Sequence, residues 1–178
     1  MAPIAGSVDI VVHRSDESEL GMAEHETSTR SALVLPPGEG TALTARGSVM
    51  VFKAVAETTG GAFSLMERVL PAGGRPPPAH RHPDCTEAFY LLDGTLDFLL
   101  DEDQVSVAGG GFVLVPGGVA HSFVNTSDAP ARVLILHSPA LDGYFRGLHE
   151  LWLGQEPPTV QQEQDLMRRH GLIPVAES

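Results

Sequence analysis

The sequence predicts an all-β fold, an antiparallel barrel or jelly roll, with helices only at its C-terminal end. Nine short segments rich in apolar and β-branched residues follow one another closely, and turn-forming clusters such as Pro36-Pro37-Gly38 and Asp93-Gly94 separate them. Short strands divided by such glycine and proline signals are typical of antiparallel all-β domains. The predicted strands are residues 31–35, 49–56, 62–70, 87–92, 95–100, 104–107, 112–115, 120–124 and 132–137.

The segment before the barrel has a different texture. Residues 1–30 begin with a candidate strand at 7–12 and then become polar. We therefore expect a short N-terminal arm over 1–30, of the kind that pairs with the sheet edge of a neighbouring subunit, and a barrel over 31–140.

Helical spacing replaces the strand pattern after Pro139. Leu141, Phe145, Leu148 and Trp152 recur at intervals of three to four residues, which indicates one amphipathic helix. A second helix is predicted over 157–169, with prolines at its start and Gly171 beyond its end. Two C-terminal helices, within 141–178, should cap the barrel.

Composition limits the class of protein. The chain has 178 residues, of which 42% are apolar and 19% charged, a balance that suits one globular domain. Its 23 acidic and 11 basic residues give a net charge of −12, which repels nucleic acids and anionic membrane surfaces. We read neither a membrane span nor a signal peptide, and the single cysteine, Cys85, fits a reducing compartment. The expected location is cytoplasmic.

Four residues in two separate segments form a candidate metal site: His80, His82, Glu87 and His121. Residues two apart on a strand share a face, so His80 and His82 point the same way. A bend after His82 returns the chain and brings Glu87 towards both rings, while the second segment turns at Gly117-Gly118 and starts a strand near His121. Two such hairpins facing each other would enclose four ligands.

Three neutral imidazoles and a carboxylate suit one divalent first-row metal: iron, manganese, nickel, copper, cobalt or zinc. Four protein ligands leave one or two coordination positions open for water, dioxygen or a chelating substrate. A redox-active ion would favour reaction of the substrate with dioxygen. A redox-silent ion would favour polarising a carbonyl group for isomerisation, cyclisation or elimination.

Strand alternation also predicts the wall of the pocket. Counting by twos from Glu87 and His121 turns Phe89, Leu91 and Phe123 inward, which makes them candidate substrate contacts. Of Glu67 and Arg68, one must point into the barrel, and an inward Glu67 would be a candidate base. The remaining histidines are expected to be surface or structural residues: His13, His25, His137, His149 and His170. Of these, His149 on the first C-terminal helix could overhang the mouth of the pocket.

The two histidine-bearing segments resemble the two motifs of the cupin family. Every consensus position is occupied, namely Gly74, His80, His82, Glu87 and Gly94 in the first motif, and Gly110, Pro116, Gly118, His121 and Asn125 in the second. The resemblance covers about residues 31–140. Within the family, the sequence is most similar to single-domain, quercetin-dioxygenase-like cupins. It implies a cupin double-stranded β-helix, a jelly-roll barrel whose four metal ligands are those given above. It also implies that Glu87 accepts a substrate proton and that the protein is a homodimer.

The resemblance favours a metal-dependent dioxygenase that acts on a small oxygenated or aromatic substrate, such as a flavonol, catechol or β-diketone. A redox-neutral isomerase, cyclase or lyase is the first alternative. A non-enzymatic cupin that binds a small molecule is the second, because the fold alone does not fix the function.

Overall fold

The computed structural model describes residues 10–12 and 32–175, and it divides into two units, Met1–Glu39 and Gly40–Ser178. In the first unit, strand β1 (Ile10–Val12) pairs in parallel with β2 (Ala32–Val34). The predicted strand at 7–12 is therefore confirmed over Ile10–Val12, and its first residues lie outside the described part of the chain. The second unit contains the predicted site.

The second unit is built from two facing antiparallel sheets. A six-stranded sheet has the spatial order β10 (Phe112–Val115), β7 (Thr86–Asp93), β12 (Ala131–Ser138), β5 (Ser64–Leu70), β4 (Ser48–Ala54) and β3 (Thr41–Ala45). A five-stranded sheet has the order β13 (Ile173–Pro174), β6 (His80–Arg81), β11 (His121–Val124), β8 (Thr95–Leu100) and β9 (Asp103–Ala108). Strands that are neighbours in space are mostly distant in sequence, which confirms the predicted all-β jelly roll.

Aromatic residues fill the space between the sheets. Phe89 of β7 contacts Phe98 of β8 and Phe123 of β11, with ring centroids 5.0 and 5.2 Å apart and the rings edge to face. All three side chains are buried. Because inward residues of both sheets meet here, this cluster holds the sheets at the separation that the adjoining site requires.

Three helices complete the second unit: α1 (Ala56–Thr59), α2 (Asp142–Trp152) and α3 (Val160–Arg169). The two predicted C-terminal helices are thus present. The predicted start of the second helix at residue 157 is wrong, because Thr159 is its N-cap and accepts a hydrogen bond from the backbone N–H of Gln162 (3.2 Å). None of the helices within the described ranges has the length and apolar character needed to cross a membrane.

Strand β3 was not predicted, because its sequence, TALTA, lacks large apolar residues. It forms a hairpin with β4 through Arg46 and Gly47, whose φ angles are 52° and 71°. Positive φ at both central residues is the requirement of a tight type I′ turn, and a non-glycine residue there gives a weak sequence signal. Helix α1 was also missed, since it occupies a segment that reads as a turn.

Candidate metal centre

Both sheets contribute to the predicted ligand cluster. His80 of β6 and His121 of β11 are direct cross-strand partners in the five-stranded sheet, His82 follows β6, and Glu87 comes from β7 of the facing sheet. All four side chains are buried, and one potential ligand atom from each lies within 4.8 Å of the others. The structure thus brings together the residues that the spacing of the two motifs selected.

The loops around the cluster require glycine in the turn that precedes His121. The backbone N–H of Gly118 donates to the carbonyl oxygen of His82 (2.8 Å), which fixes the loop after His82 against the loop before His121. A Cβ atom on Gly117 would lie 2.6 Å from the carbonyl oxygen of Pro83. Only glycine therefore permits the close approach of these two backbones.

Backbone carbonyl groups orient two of the imidazole rings. His80 Nδ1 lies 2.9 Å from the Pro78 carbonyl oxygen, and His121 Nδ1 lies 3.1 Å from that of Val119. A carbonyl oxygen only accepts, so Nδ1 carries the proton in both rings and donates it. Nε2 is then the atom of each ring that is available to a metal, and in His121 the effect of burial is outweighed by the Glu87 carboxylate, which the same atom faces and which raises the pKa of that ring.

The carboxylate of Glu87 lies at the centre of the cluster. Its Oε2 is 2.8 Å from His121 Nε2 and 3.3 Å from His82 Nε2. Burial raises the pKa of Glu87, but the positive field of His137 and the hydrogen bond from His121 outweigh it and hold that pKa well below its usual value. Glu87 is consequently an anion at neutral pH. Burial and the neighbouring His121 lower the pKa of His80 to about 3, so its ring is neutral.

The donor set fits a divalent cation. Within the described ranges, both ring nitrogens of His82 are buried without a hydrogen-bond partner, although Nε2 lies 3.3 Å from Glu87 Oε2. Buried polar nitrogens without partners are uncommon and call for a cause. Two oriented Nε2 lone pairs, an unpartnered imidazole and an ionised carboxylate supply the ligand atoms of a first-row metal, so the residues present match the group that the sequence implies.

His137 was missed by the sequence analysis, which grouped it with surface or structural histidines. It is buried on β12, directly opposite Glu87 on β7, and its Nε2 lies 3.0 Å from Glu87 Oε1. Alternation along β12 was a usable signal, because Val133 and Ile135 mark its inward face. The pairing of β12 with β7 was not readable, and it is this pairing that places His137 at the cluster.

A small cavity of about 20 Å³ adjoins the cluster. Its lining includes the ligand candidates His80, His82 and Glu87, together with His137 and Phe123. Phe89 and Leu91 are completely buried, as their inward orientation predicts, but neither lines the cavity. A substrate contact therefore stays a prediction for all three of Phe89, Leu91 and Phe123, and only Phe123 is placed beside the cavity.

Basic and aromatic side chains from the capping helices and the β3–β5 region form the other side of this cavity. They include Arg46, Arg68, Tyr144 and Phe145. Of the pair Glu67 and Arg68, it is the arginine that points inward, while Glu67 pairs with Arg132 at the half-buried outer face (3.3 Å). Glu67 is thus excluded as a base in the pocket.

Two further side chains, those of Cys85 and His149, lie away from the cavity. The thiol of Cys85 is half-buried with its sulfur 3.6 Å from the Pro139 carbonyl oxygen, and burial raises its pKa to about 11. Its thiol is therefore protonated at neutral pH and a poor nucleophile. His149 does not overhang the pocket, because its Nδ1 lies 2.9 Å from the Thr44 carbonyl oxygen and ties α2 to β3.

Known proteins resemble the region that carries the site. Residues 66–137 match the family model described as "Cupin domain". The chain is 29% identical over 129 residues to quercetin 2,3-dioxygenase of Bacillus subtilis, which covers 72% of this chain and 38% of that protein. It is 35% identical over 91 residues to germin-like protein subfamily 2 member 1 of Arabidopsis thaliana, 48% and 41% of the respective lengths. The chain thus spans about two fifths of the length of these two relatives.

Two solved structures share the fold. A Thermotoga maritima protein described as a predicted oxalate decarboxylase superposes with a TM-score of 0.54 at 23% identity, covering 60% of this chain and 99% of that one. The polyketide cyclase RemF of Streptomyces resistomycificus superposes with a TM-score of 0.52 at 19% identity, over 60% and 79%. With both motifs complete and their residues gathered between two antiparallel sheets, residues 66–137, from β5 to β12, match a cupin domain.

Proposed function

We propose that this protein is a metal-dependent cupin enzyme in which His80, His82, Glu87 and His121 hold one divalent ion. The observation that carries the proposal is the convergence of three buried imidazoles and one buried carboxylate within 4.8 Å. Such a group is costly to bury without a cation, because neither ring nitrogen of His82 has a hydrogen-bond partner in the described part of the chain. The bound ion would supply Lewis acidity or, if redox-active, access to dioxygen chemistry.

The protein's own groups would orient a substrate and hold a proton. Glu87 Oε1 contacts His137 Nε2, while Oε2 faces His121 and His82. The first of these oxygens is thus kept in place by a residue outside the ligand set. We infer that Glu87 accepts a proton from the substrate and that His137 positions it. Phe123 and Phe145 would exclude water from the adjoining cavity.

The reaction that we favour is a dioxygenation of a small oxygenated or aromatic substrate, of the flavonol, catechol or β-diketone type. The similarity to quercetin 2,3-dioxygenase, which extends over 72% of this chain, supports this choice. The aromatic side chains of Phe123 and Phe145 in the cavity lining support it further, since they suit a substrate with an aromatic or hydrocarbon portion.

Oxygen consumption tests the proposed reaction. Protein loaded separately with iron, manganese, nickel, copper or cobalt is mixed with a flavonol, a catechol and a β-diketone in an oxygen-electrode cell. At least one combination should consume oxygen in step with loss of substrate, and Glu87→Ala should abolish that consumption. Absence of oxygen uptake with every metal and substrate, from protein shown to contain stoichiometric metal, would exclude the dioxygenase.

A redox-neutral isomerase, cyclase or lyase is the second candidate. The contact between Glu87 and His137 favours it, because a carboxylate backed by an imidazole is suited to moving a proton between substrate atoms. Zinc-loaded protein distinguishes the two. Turnover of a carbonyl substrate without oxygen, by zinc-loaded protein, would assign the redox-neutral reaction.

A further inference from the structure

A buried arginine beside the candidate metal cluster has an unused hydrogen-bond donor. Arg68 of β5 is 2% exposed and lines the cavity that also contains His80, His82 and Glu87. Its Nη2 atom is buried and has no hydrogen-bond partner among the residues that the structure describes. A guanidinium group is costly to bury with a donor left unsatisfied, so its retention at this position needs a cause.

The rest of the Arg68 side chain is held firmly. Its Nε donates to Ser48 Oγ at 2.9 Å, and that hydroxyl in turn donates to the Ala45 carbonyl oxygen at 3.0 Å. The guanidinium carbon lies 5.7 Å from the centroid of the Phe123 ring. The free end of the fork is therefore fixed in place at the cavity, as a preformed recognition group would be.

Within the part of the chain that the structure describes, no carboxylate forms an ion pair with Arg68, although the charge of Glu87 acts on it favourably. The nearby carboxylate of Glu163 is engaged by Arg46, whose Nη2 lies 2.8 Å from Glu163 Oε2. Glu87 faces His82, His121 and His137. Burial and the charge of Arg46 lower the pKa of Arg68 to about 9, so the group still carries its charge at neutral pH.

The total charge of the metal-loaded site indicates which kind of ligand it would bind. A divalent ion held by Glu87 and neutral imidazoles keeps one excess positive charge, and Arg68 adds a second in the same cavity. Uncompensated buried charges are strongly destabilising; a monocarboxylate would neutralise one of these two charges, and a dianion would neutralise both. Arginine is suited to a planar carboxylate because its fork donates two parallel hydrogen bonds.

We propose that Arg68 binds the carboxylate of the substrate and that the substrate is a small carboxylic acid with a second oxygen able to reach the metal, such as a 2-hydroxy or 2-oxo acid. This inference rests on the proposed metal-dependent function and, among small oxygenated substrates, favours a carboxylic acid over the flavonol, catechol and β-diketone types. The cavity is small, about 20 Å³, so the site favours a compact anion over a bulky one.

Binding of a matched pair of probes tests this assignment. Cobalt-loaded protein is titrated with glycolate and with its neutral isostere glycolamide, and binding is followed by the visible spectrum of cobalt and by calorimetry. Wild-type protein should bind glycolate at least about tenfold more tightly than glycolamide. Arg68→Met should lose that preference at unchanged cobalt content, and Arg68→Lys should keep part of it.

A matched control and a stability measurement distinguish a role of Arg68 in ligand binding from a role in the stability of the fold. Arg132→Gln removes an exposed cation that pairs with Glu67 at the outer face of the same sheet, and its glycolate affinity should equal that of wild type. The melting temperature of Arg68→Met should be equal to or above that of wild type, because an unpaired buried charge is removed. A structural role for Arg68 would instead lower it.

Glycolate affinity in Arg68→Met equal to that of wild type would overturn the assignment, and so would equal affinity of wild type for glycolamide. If Arg68→Met does not fold, the same comparison is made with Arg68→Lys and Arg68→Gln. Calorimetry on metal-free protein is run in parallel. If wild type does not retain cobalt, the metal site is refuted. The role of Arg68 can still be tested in that case, because calorimetry on metal-free protein shows whether glycolate affinity depends on Arg68.

Discussion

Two carbonyl oxygens, those of Pro78 and Val119, determine what the rings of His80 and His121 can do. Each accepts a hydrogen bond from the Nδ1–H group and so leaves Nε2 as the available ring atom, directed at the carboxylate of Glu87 in the case of His121. Two acceptors facing each other at 2.8 Å repel unless a proton or a cation lies between them. Local hydrogen bonds thus orient these side chains to bind a proton or a metal cation.

The lowered pKa of His80 predicts a pH dependence of stability in metal-free protein. The folded ring has a pKa of about 3, below its value in the unfolded chain, so the unfolded state binds the proton first as pH falls. His80 therefore costs stability progressively between about pH 6.5 and pH 3. Relative to wild type, His80→Asn should gain free energy of unfolding as the pH is lowered through this window, measured by urea titration at several pH values. A difference that is independent of pH would contradict the account.

The ligand residues could be predicted from the sequence because their spacing is local and short. His137 could not, since its place depends on the pairing of β12 with β7, two strands that are about forty residues apart in the chain. The same holds for Arg68, whose inward orientation follows alternation along β5 but whose missing partner is visible only in three dimensions. Site residues that lie within a sequence motif could be predicted, whereas residues that join the site through strand pairing could not.

At the scale of elements, the loops that join strands position the cluster as much as the strands do. The turn containing Gly117 and Gly118 lies against the chain at His82 and Pro83, and so fixes the distance between the two motifs. Strand β3 and helix α1 were missed because small residues and turn signals dominate them. The longer apolar strands were predicted with boundaries close to those observed.

Gly117→Ala should destabilise the protein by roughly 1–3 kcal/mol, because the added Cβ would lie 2.6 Å from the Pro83 carbonyl oxygen. Chemical denaturation of wild type and variant measures the difference. Gly143→Ala in α2 is the matched control, since its Cβ would meet only His170 at 3.8 Å, and a helical alanine should be neutral or stabilising. Equal stability of Gly117→Ala and wild type would show that the two loops are not held together as described.

At the scale of the whole molecule, the expected homodimer stays a proposal. The outer face around the edge strand β10 carries exposed Phe112, Leu114 and Tyr90, an apolar surface of the kind that subunits bury. Sedimentation equilibrium should give a mass of two chains, about twice 18.9 kDa. Phe112→Glu should shift it to one chain, and a monomeric wild type would remove the dimer from the account.

Metal content tests the central claim most directly. Protein purified without a histidine tag, reconstituted with a first-row divalent metal and freed of excess ion, should contain about one metal per chain by elemental analysis. His121→Ala should lose that metal, while His149→Gln, which alters a histidine on α2 away from the cluster, should retain it. Stoichiometric metal in His121→Ala, or none in wild type with any of the metals, would contradict the assignment of the cluster as a metal centre.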